Sequence, residues 1–110
     1  MATSLPQRFE ISTMTNTLTL VATITAIAEH QATVKNHLQT LVAASRKEAA
    51  CIQYDLHQQQ DAPNVFIMIE QWRDNAALAE HKQTAHYQHF STTCAELLQG
   101  VELKLMTQIA

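Results

Sequence analysis

The segment from Phe66 to His86, FIMIEQWRDNAALAEHKQTAH, constrains this chain most. It continues an apolar run that starts at Val65 and ends in Glu70 and Trp72, the only tryptophan. Such a run is typical of a strand that buries most of its side chains. A buried carboxylate is costly unless it is hydrogen-bonded or protonated, so packing alone would not select Glu70. The segment therefore predicts a polar site at the end of a buried strand.

Hydrophobic periodicity divides the chain into four strands and three helices. Period-two alternation or β-branched enrichment predicts strands over residues 17–26, 52–57, 65–72 and 101–109. Apolar residues at three- and four-residue steps predict a helix over residues 29–49. Asp74 and Thr84 are good N-caps for two shorter helices. Gly100 is predicted to end the second of these in a left-handed conformation.

This order of elements, β-α-β-β-α-β, predicts an α+β fold of the ferredoxin-like split type, with helices on one face of an antiparallel sheet. On the strand over residues 65–72, Phe66, Met68, Glu70 and Trp72 are expected to share one face.

Size and charge limit the classes of function. A chain of 110 residues has room for one domain, expected over residues 17–110, and residues 1–16 are expected to be a flexible polar tail without a signal-peptide pattern. The net charge is −3 and the longest basic run is Arg46-Lys47, so nucleic-acid binding is not expected, and no membrane span is expected either. Cys51 and Cys94 lack metal-type spacing and are expected to be reduced thiols in a cytoplasmic protein.

The motifs Tyr54-x-Leu56, Glu70-x-Trp72 and Ala77-Leu78, followed by His81 and His86, resemble the pattern of the antibiotic biosynthesis monooxygenase (ABM) family. The resemblance runs over residues 17–109. It implies a homodimer in which two sheets pair into a dimeric α/β barrel. It also implies a monooxygenase that needs no cofactor and oxidises a small phenol, hydroquinone or quinol with O2.

His81 is the predicted base or proton shuttle of such a reaction. It follows Leu78 and Ala77 by three and four residues, so its ring is expected on the inward face of the helix. The resemblance places it on the family's histidine position. A hydrogen-bonded core histidine is the alternative. Glu70 is predicted to be the carboxylate that orients His81, or itself a base if burial raises its pKa toward neutrality, or otherwise a structural acceptor.

Four further residues are predicted to contact the substrate. Trp72 would form a flat wall of the pocket, unless it is only a core residue, and Phe66 shares its face of the strand. Tyr54 and His86 would contact a hydroxyl or carbonyl group. His86 also begins a helix, where the helix dipole favours the neutral ring.

Metal and cofactor sites are not expected. Six histidines are many for this length, and His86 and His89 lie three residues apart. No His-x-x-x-His pair exists, however, and Asp74 and Glu80 are expected on other faces. No glycine-rich loop is present to hold a flavin phosphate. Haem-degrading relatives have tryptophan at the position of His81 and an axial histidine near Ser91, so a haem ligand is not expected.

A non-oxidative function is the alternative to the monooxygenase. The same fold could serve as an isomerase of a small carbonyl compound, or as a binding module without turnover. An anionic substrate would need a cation in the pocket. Lys82, Arg73, Lys35 and Arg46 are the candidates, and none is clearly inward from the sequence.

Overall fold

The computed structural model describes residues 17–110, so the predicted tail over residues 1–16 lies outside the described residues. The elements confirm the predicted order and the α+β class. They are β1 (Leu18–Ala26), α1 (Gln31–Ser45), β2 (Cys51–Gln58), β3 (Val65–Trp72), α2 (Asn75–Gln83), α3 (Ala85–Cys94) and β4 (Leu98–Met106). Short 3-10 helices precede α1 and β4.

The four strands form one antiparallel sheet in the order β2-β3-β1-β4. The register aligns Tyr54, Glu70, Leu20 and Leu105 in one row across all four strands. Side chains in such a row point to the same side of the sheet. The sheet therefore presents a tyrosine and a carboxylate side by side on the face that the helices cover.

The hydrophobic core lies between that face and the helices. In β3 the prediction that Phe66, Met68, Glu70 and Trp72 share one face is confirmed, because these four residues are buried. The other face of the strand, which was predicted to be largely buried as well, is only partly buried. Leu38 of α1 packs against the buried face and is also fully buried. Burial of one such side chain contributes about 1.5 to 3 kcal/mol to stability.

Thr84 joins the two short helices and forms a hydrogen bond with each of them. It ends α2, since its hydroxyl donates a hydrogen bond to the carbonyl oxygen of His81 at 2.6 Å. It also caps α3, since the same hydroxyl accepts from the backbone N–H of Tyr87 at 3.3 Å. Asp74 caps α2 by accepting from the N–H of Ala77 at 2.8 Å. Both predicted caps are confirmed, and they fix the position of His81 at the end of α2.

Two predicted helix ends are wrong. Helix α1 ends at Ser45, not at Ala49, and residues 46–50 turn back toward the sheet. Gly100 does not end a helix but lies in β4 opposite Thr25, and no described residue has a positive φ. Backbone pairing with β1 starts at Leu98. Gly100 therefore belongs to strand β4 and cannot cap the preceding helix.

Both cysteines are free, as expected. Within residues 17–110, no helix is long and apolar enough to cross a membrane.

Candidate active site

A cavity of about 490 Å³ lies between the sheet and the helices. Most of its wall is apolar, with contributions from β1, α1 and β4. Its polar lining residues are Tyr54, Glu70, His81, Lys82, Tyr87, Ser91 and Gln99. A mainly apolar cavity with a few convergent polar groups is the usual form of a small-molecule site.

His81 is the most enclosed polar residue of this cavity, with 1% of its surface exposed. Its ring lies among three aromatic rings, with centroid distances of 4.5 Å to Trp72, 5.5 Å to Tyr54 and 5.1 Å to Tyr87. These contacts leave the imidazole little freedom to rotate. The sequence prediction that His81 points inward is confirmed.

Glu48, in the turn after α1, holds the outer nitrogen of His81. Its Oε2 atom lies 2.6 Å from Nδ1 of His81 and 2.7 Å from Nε2 of His86. A carboxylate only accepts hydrogen bonds, so each of these ring nitrogens carries a proton. In its neutral form His81 then has an unprotonated Nε2. That atom lies 3.5 Å from the hydroxyl oxygen of Tyr54 at the cavity wall.

Burial lowers the pKa of His81, and the hydrogen bond and charge of Glu48 oppose this by raising it. Burial is the larger effect, so the neutral ring is favoured at neutral pH. A neutral imidazole with a fixed tautomer and an unprotonated Nε2 can accept a proton from a bound molecule.

Glu70 is paired with Trp72, not with His81. The indole Nε1–H donates to Oε1 of Glu70 at 2.9 Å, and both residues are buried. Burial raises the pKa of Glu70 to about 7, although the indole hydrogen bond acts in the opposite direction. The prediction that Glu70 orients His81 is therefore wrong, because Glu48 occupies that position. Near pH 7 Glu70 can present either a carboxylate or a protonated carboxyl group to the cavity.

Tyr54 keeps its proton. Burial raises the pKa of its hydroxyl well above the ordinary value, and the nearby carboxyl group of Glu70 adds to this effect. The hydroxyl is therefore a permanent donor beside Nε2 of His81.

The structure brings three of the six predicted site residues to the cavity wall: Tyr54, Glu70 and His81. Trp72 and Phe66 are fully buried and are not among the residues that line it. Trp72 packs behind His81, so the prediction that it forms a wall of the pocket is wrong. His86 also lies outside the lining and contacts the site through Glu48.

Sequence reasoning missed Glu48, Tyr87 and the inward position of Lys82. Glu48 lies 33 residues before His81 in the chain, and no spacing rule joins a turn residue to a helix so distant. Tyr87 was recognisable only as part of the apolar stripe of α3. Lys82 follows His81 directly and lines the cavity, so one of the four candidate cations is inward.

One group of side chains near the site could hold a metal ion. The ligand atoms of Glu48, His81 and His86 all lie within 4.8 Å of one another. A metal site was not expected from the sequence because only Asp74 and Glu80 were considered as nearby carboxylates. Glu48, which is distant in the chain, supplies the carboxylate instead.

Comparisons with known proteins agree with the motif pattern. Residues 17–93 match the family model for antibiotic biosynthesis monooxygenase. A solved structure, PA3566 from Pseudomonas aeruginosa, is similar with a TM-score of 0.84 and 47% identity, over 88% of this chain and 98% of that one. The protein named "Putative monooxygenase YcnE" from Bacillus subtilis (strain 168) is 45% identical over 60 residues, which is 54% of this chain.

The match to YcnE spans 63% of that protein, slightly less than two thirds of its length. A structure titled antibiotic biosynthesis monooxygenase is also similar, with a TM-score of 0.80 and 30% identity, over 84% of this chain and 99% of that one. The family model covers most of the described residues, and the fold and motif residues agree with it. The chain belongs to the antibiotic biosynthesis monooxygenase family.

Proposed function

We propose that this protein is a cofactor-independent monooxygenase that oxidises a small phenol, hydroquinone or quinol with O2. The observation that carries the proposal is the hydrogen bond between Glu48 and His81. It fixes the proton on Nδ1 and leaves Nε2 of a buried, neutral imidazole as an acceptor beside the cavity. Family membership and the monooxygenase names of relatives support an oxidative role.

The first step is removal of a proton from an aromatic hydroxyl group of the substrate. Nε2 of His81 accepts it, and the resulting imidazolium is stabilised by the carboxylate of Glu48 on its other side. General bases of this kind contribute about 10² to 10⁴ in rate. The hydroxyl of Tyr54 lies 3.5 Å from Nε2 of His81. A phenol that gives its proton to this nitrogen therefore has a second donor nearby for the charge that develops on its oxygen.

The substrate anion supplies the electrons in the next steps. One electron passes from the phenolate to O2, which gives a phenoxyl radical and superoxide. These combine through a new C–O bond to a peroxide anion, to which the imidazolium of His81 returns its proton. The O–O bond then breaks as the hydrogen on the oxygenated ring carbon leaves as a proton, so that water is lost and a quinone remains. The sum is one phenol and one O2 giving one quinone and one water, so no external reductant is required.

The positive charge of Lys82 and the hydroxyl of Tyr87 complete the polar end of the cavity. A cation near the developing phenolate stabilises that anion more in a water-poor cavity than in water. Glu70, when protonated, is a further donor to a carbonyl or hydroxyl group of the substrate.

We also propose that the protein works as a homodimer. Val101, Leu103 and Leu105 of β4 are about half exposed although they point to the helix side of the sheet. On the opposite face, Val21, Ile67 and Ile69 form a half-buried apolar strip. A small domain with apolar groups left on both faces gains stability when a second copy covers them.

The free thiols of Cys51 and Cys94 favour a reducing compartment such as the cytoplasm.

The inward position of Lys82 supports one alternative function, an isomerase of a small anionic carbonyl compound. A base beside a cation also suits enolisation of a small anionic carbonyl compound, which is isomerase chemistry without O2. The two functions are separated by oxygen consumption with a panel of phenols, hydroquinones and quinols. We expect O2 uptake in a one-to-one ratio with product. Turnover of a phosphorylated keto compound without O2 uptake by any phenol would show that the oxidative proposal is wrong.

A further inference from the structure

We propose that Glu48, His81 and His86 form a site for a divalent transition metal such as Zn²⁺, and that a bound ion switches off His81 as a base. The second part rests on the proposed function; the first does not. The site lies on the outer side of His81, away from the substrate cavity.

The geometry supplies three ligand atoms. Oε2 of Glu48 already lies 2.6 Å and 2.7 Å from the two ring nitrogens, and all three atoms lie within 4.8 Å of one another. Zn²⁺ takes histidine nitrogens at about 2.0 to 2.1 Å and carboxylate oxygens at about 2.0 to 2.2 Å. Small side-chain shifts of Glu48 and His86 would bring the atoms to these distances.

The three ligands differ in mobility, which suits a site that binds reversibly. His81 is 1% exposed and held by aromatic rings, so it forms the fixed part. Glu48 and His86 have side chains that are 16% and 26% exposed. The ion can therefore enter from solvent, and a water molecule can occupy the fourth position, as is usual where a protein supplies three ligands.

Tyr54 provides the outer contact that such a site needs. A histidine that binds a metal through one nitrogen usually donates the N–H of its other nitrogen to a neighbouring acceptor. With the metal on Nδ1 of His81, the proton of the neutral ring is on Nε2. The hydroxyl oxygen of Tyr54 is then the acceptor, 3.5 Å away.

The consequence for the cavity is a change of chemical role. In the metal-free protein Nε2 of His81 is an acceptor, whereas in the metal-bound protein it is a donor. The ion takes the place of the proton on Nδ1, and this single proton of the neutral ring moves to Nε2. A phenol could then no longer transfer its proton to His81.

Binding is tested with Co²⁺ on the metal-free full chain, because cobalt in a site of low coordination number absorbs visible light. We expect a stoichiometric d–d band that Zn²⁺ abolishes, with Zn²⁺ binding confirmed by calorimetry. His86→Asn and Glu48→Gln should weaken binding by about 100-fold or more, since even outer-shell changes weaken binding by about 10- to 100-fold. If Glu48→Gln fails to fold, the half-buried His86→Asn variant still tests the site.

His89→Asn is the matched control on the same helix. The ring of His89 lies 6.3 Å from the ring of His37, and His89 is not part of the Glu48, His81 and His86 group. This variant should bind as tightly as the wild type. Absence of one-to-one binding, or loss of binding in His89→Asn but not in His86→Asn, would overturn the proposed site.

The switch is tested by Zn²⁺ inhibition of O2 uptake, with chelator reversing it. Full activity of a protein shown by calorimetry to be saturated with Zn²⁺ would overturn the switch and leave the metal site standing. Metal binding without any phenol-dependent O2 uptake in the metal-free protein would contradict the proposed function, and the metal site would again stand. The failures of the two proposals are thus distinguishable.

Discussion

Oε2 of Glu48 lies 2.6 Å from Nδ1 of His81, although 33 residues separate the two in the chain. The contact is made by a turn that follows α1 and by the last turn of α2. The contact keeps the proton of the neutral ring on Nδ1 and leaves Nε2, near the cavity, unprotonated. The proposed base therefore depends on Glu48, which does not itself line the cavity. Glu48 is thus a positioning residue, and its effect is measurable through the pH dependence of turnover.

Replacing Glu48 by Gln should lower turnover and shift the acid limb of its pH profile to lower pH. The hydrogen bond and charge of Glu48 raise the pKa of His81, so their loss lowers that pKa further. The base is then weaker and its tautomer is no longer fixed. Glu80→Gln, at an exposed position of α2, is the control and should leave the profile unchanged. An unshifted limb in Glu48→Gln would show that Glu48 does not act through His81.

Glu70 should make the protein less stable as pH rises. Burial raises its pKa in the folded protein to about 7, above the ordinary value of 4.5. A group with a raised folded-state pKa contributes stability that is present below the unfolded-state pKa and is lost as pH rises through the folded-state pKa. Between pH 5 and pH 8, the wild type should lose about 2 to 3 kcal/mol of unfolding free energy relative to Glu70→Gln. Denaturant titrations at both pH values measure this difference, and parallel curves would contradict it.

Trp72→Phe should affect Glu70 more directly than the substrate. The change keeps a buried aromatic ring but removes the only indole N–H, which donates to Oε1 of Glu70. That hydrogen bond lowers the pKa of Glu70, so its loss should raise the pKa and destabilise the fold by about 1 to 3 kcal/mol. Thermal unfolding checks the stability, and comparison with a Glu70→Met background, which has no oxygen to accept from the indole, checks the coupling. Equal destabilisation by Trp72→Phe in both backgrounds would show that the hydrogen bond is not the cause.

Ile67→Lys should disrupt the proposed dimer. Ile67 belongs to the half-buried strip on the sheet face opposite the helices, where its neighbours on the adjacent strands are Thr23 and His57. The wild type should give a mass of about 25 kDa by light scattering, twice the 12.3 kDa of one chain. Ile52→Lys, at an exposed position near the start of β2, is the control and should stay dimeric. A wild-type mass of one chain at micromolar concentration would remove the dimer from the account.

The sequence allowed the fold to be predicted well because its signals are local. The alternation of β3 and the caps Asp74 and Thr84 act over two to four residues, and the structure contains all of them. Gly100 was wrongly predicted to end a helix, because a glycine after a helical stretch is also a local signal of helix termination. At that point backbone pairing of Leu98 with Ala26, a long-range interaction, decided the structure instead.

The site was predictable only in part because its key contact is long-range. Helix periodicity was enough to turn His81 inward. The identity of its carboxylate partner depended on where α1 ends, and the apolar pattern overestimated that helix by four residues. Glu48 was therefore assigned to a helix, whereas it lies in the turn that reaches His81. Strand periodicity placed Trp72 on the correct face of the sheet. It could not show that the indole ring packs behind His81 and does not line the cavity.

The most direct test of the account is oxygen uptake by His81→Gln and by the wild type, with the hydroquinone that the wild type oxidises fastest. Gln keeps a polar side chain that can hydrogen-bond to Glu48 but cannot accept the substrate proton. We expect turnover to fall by about 10² to 10⁴, while the melting temperature stays close to that of the wild type. Wild-type turnover in a folded His81→Gln protein would contradict the assignment of His81 as the base.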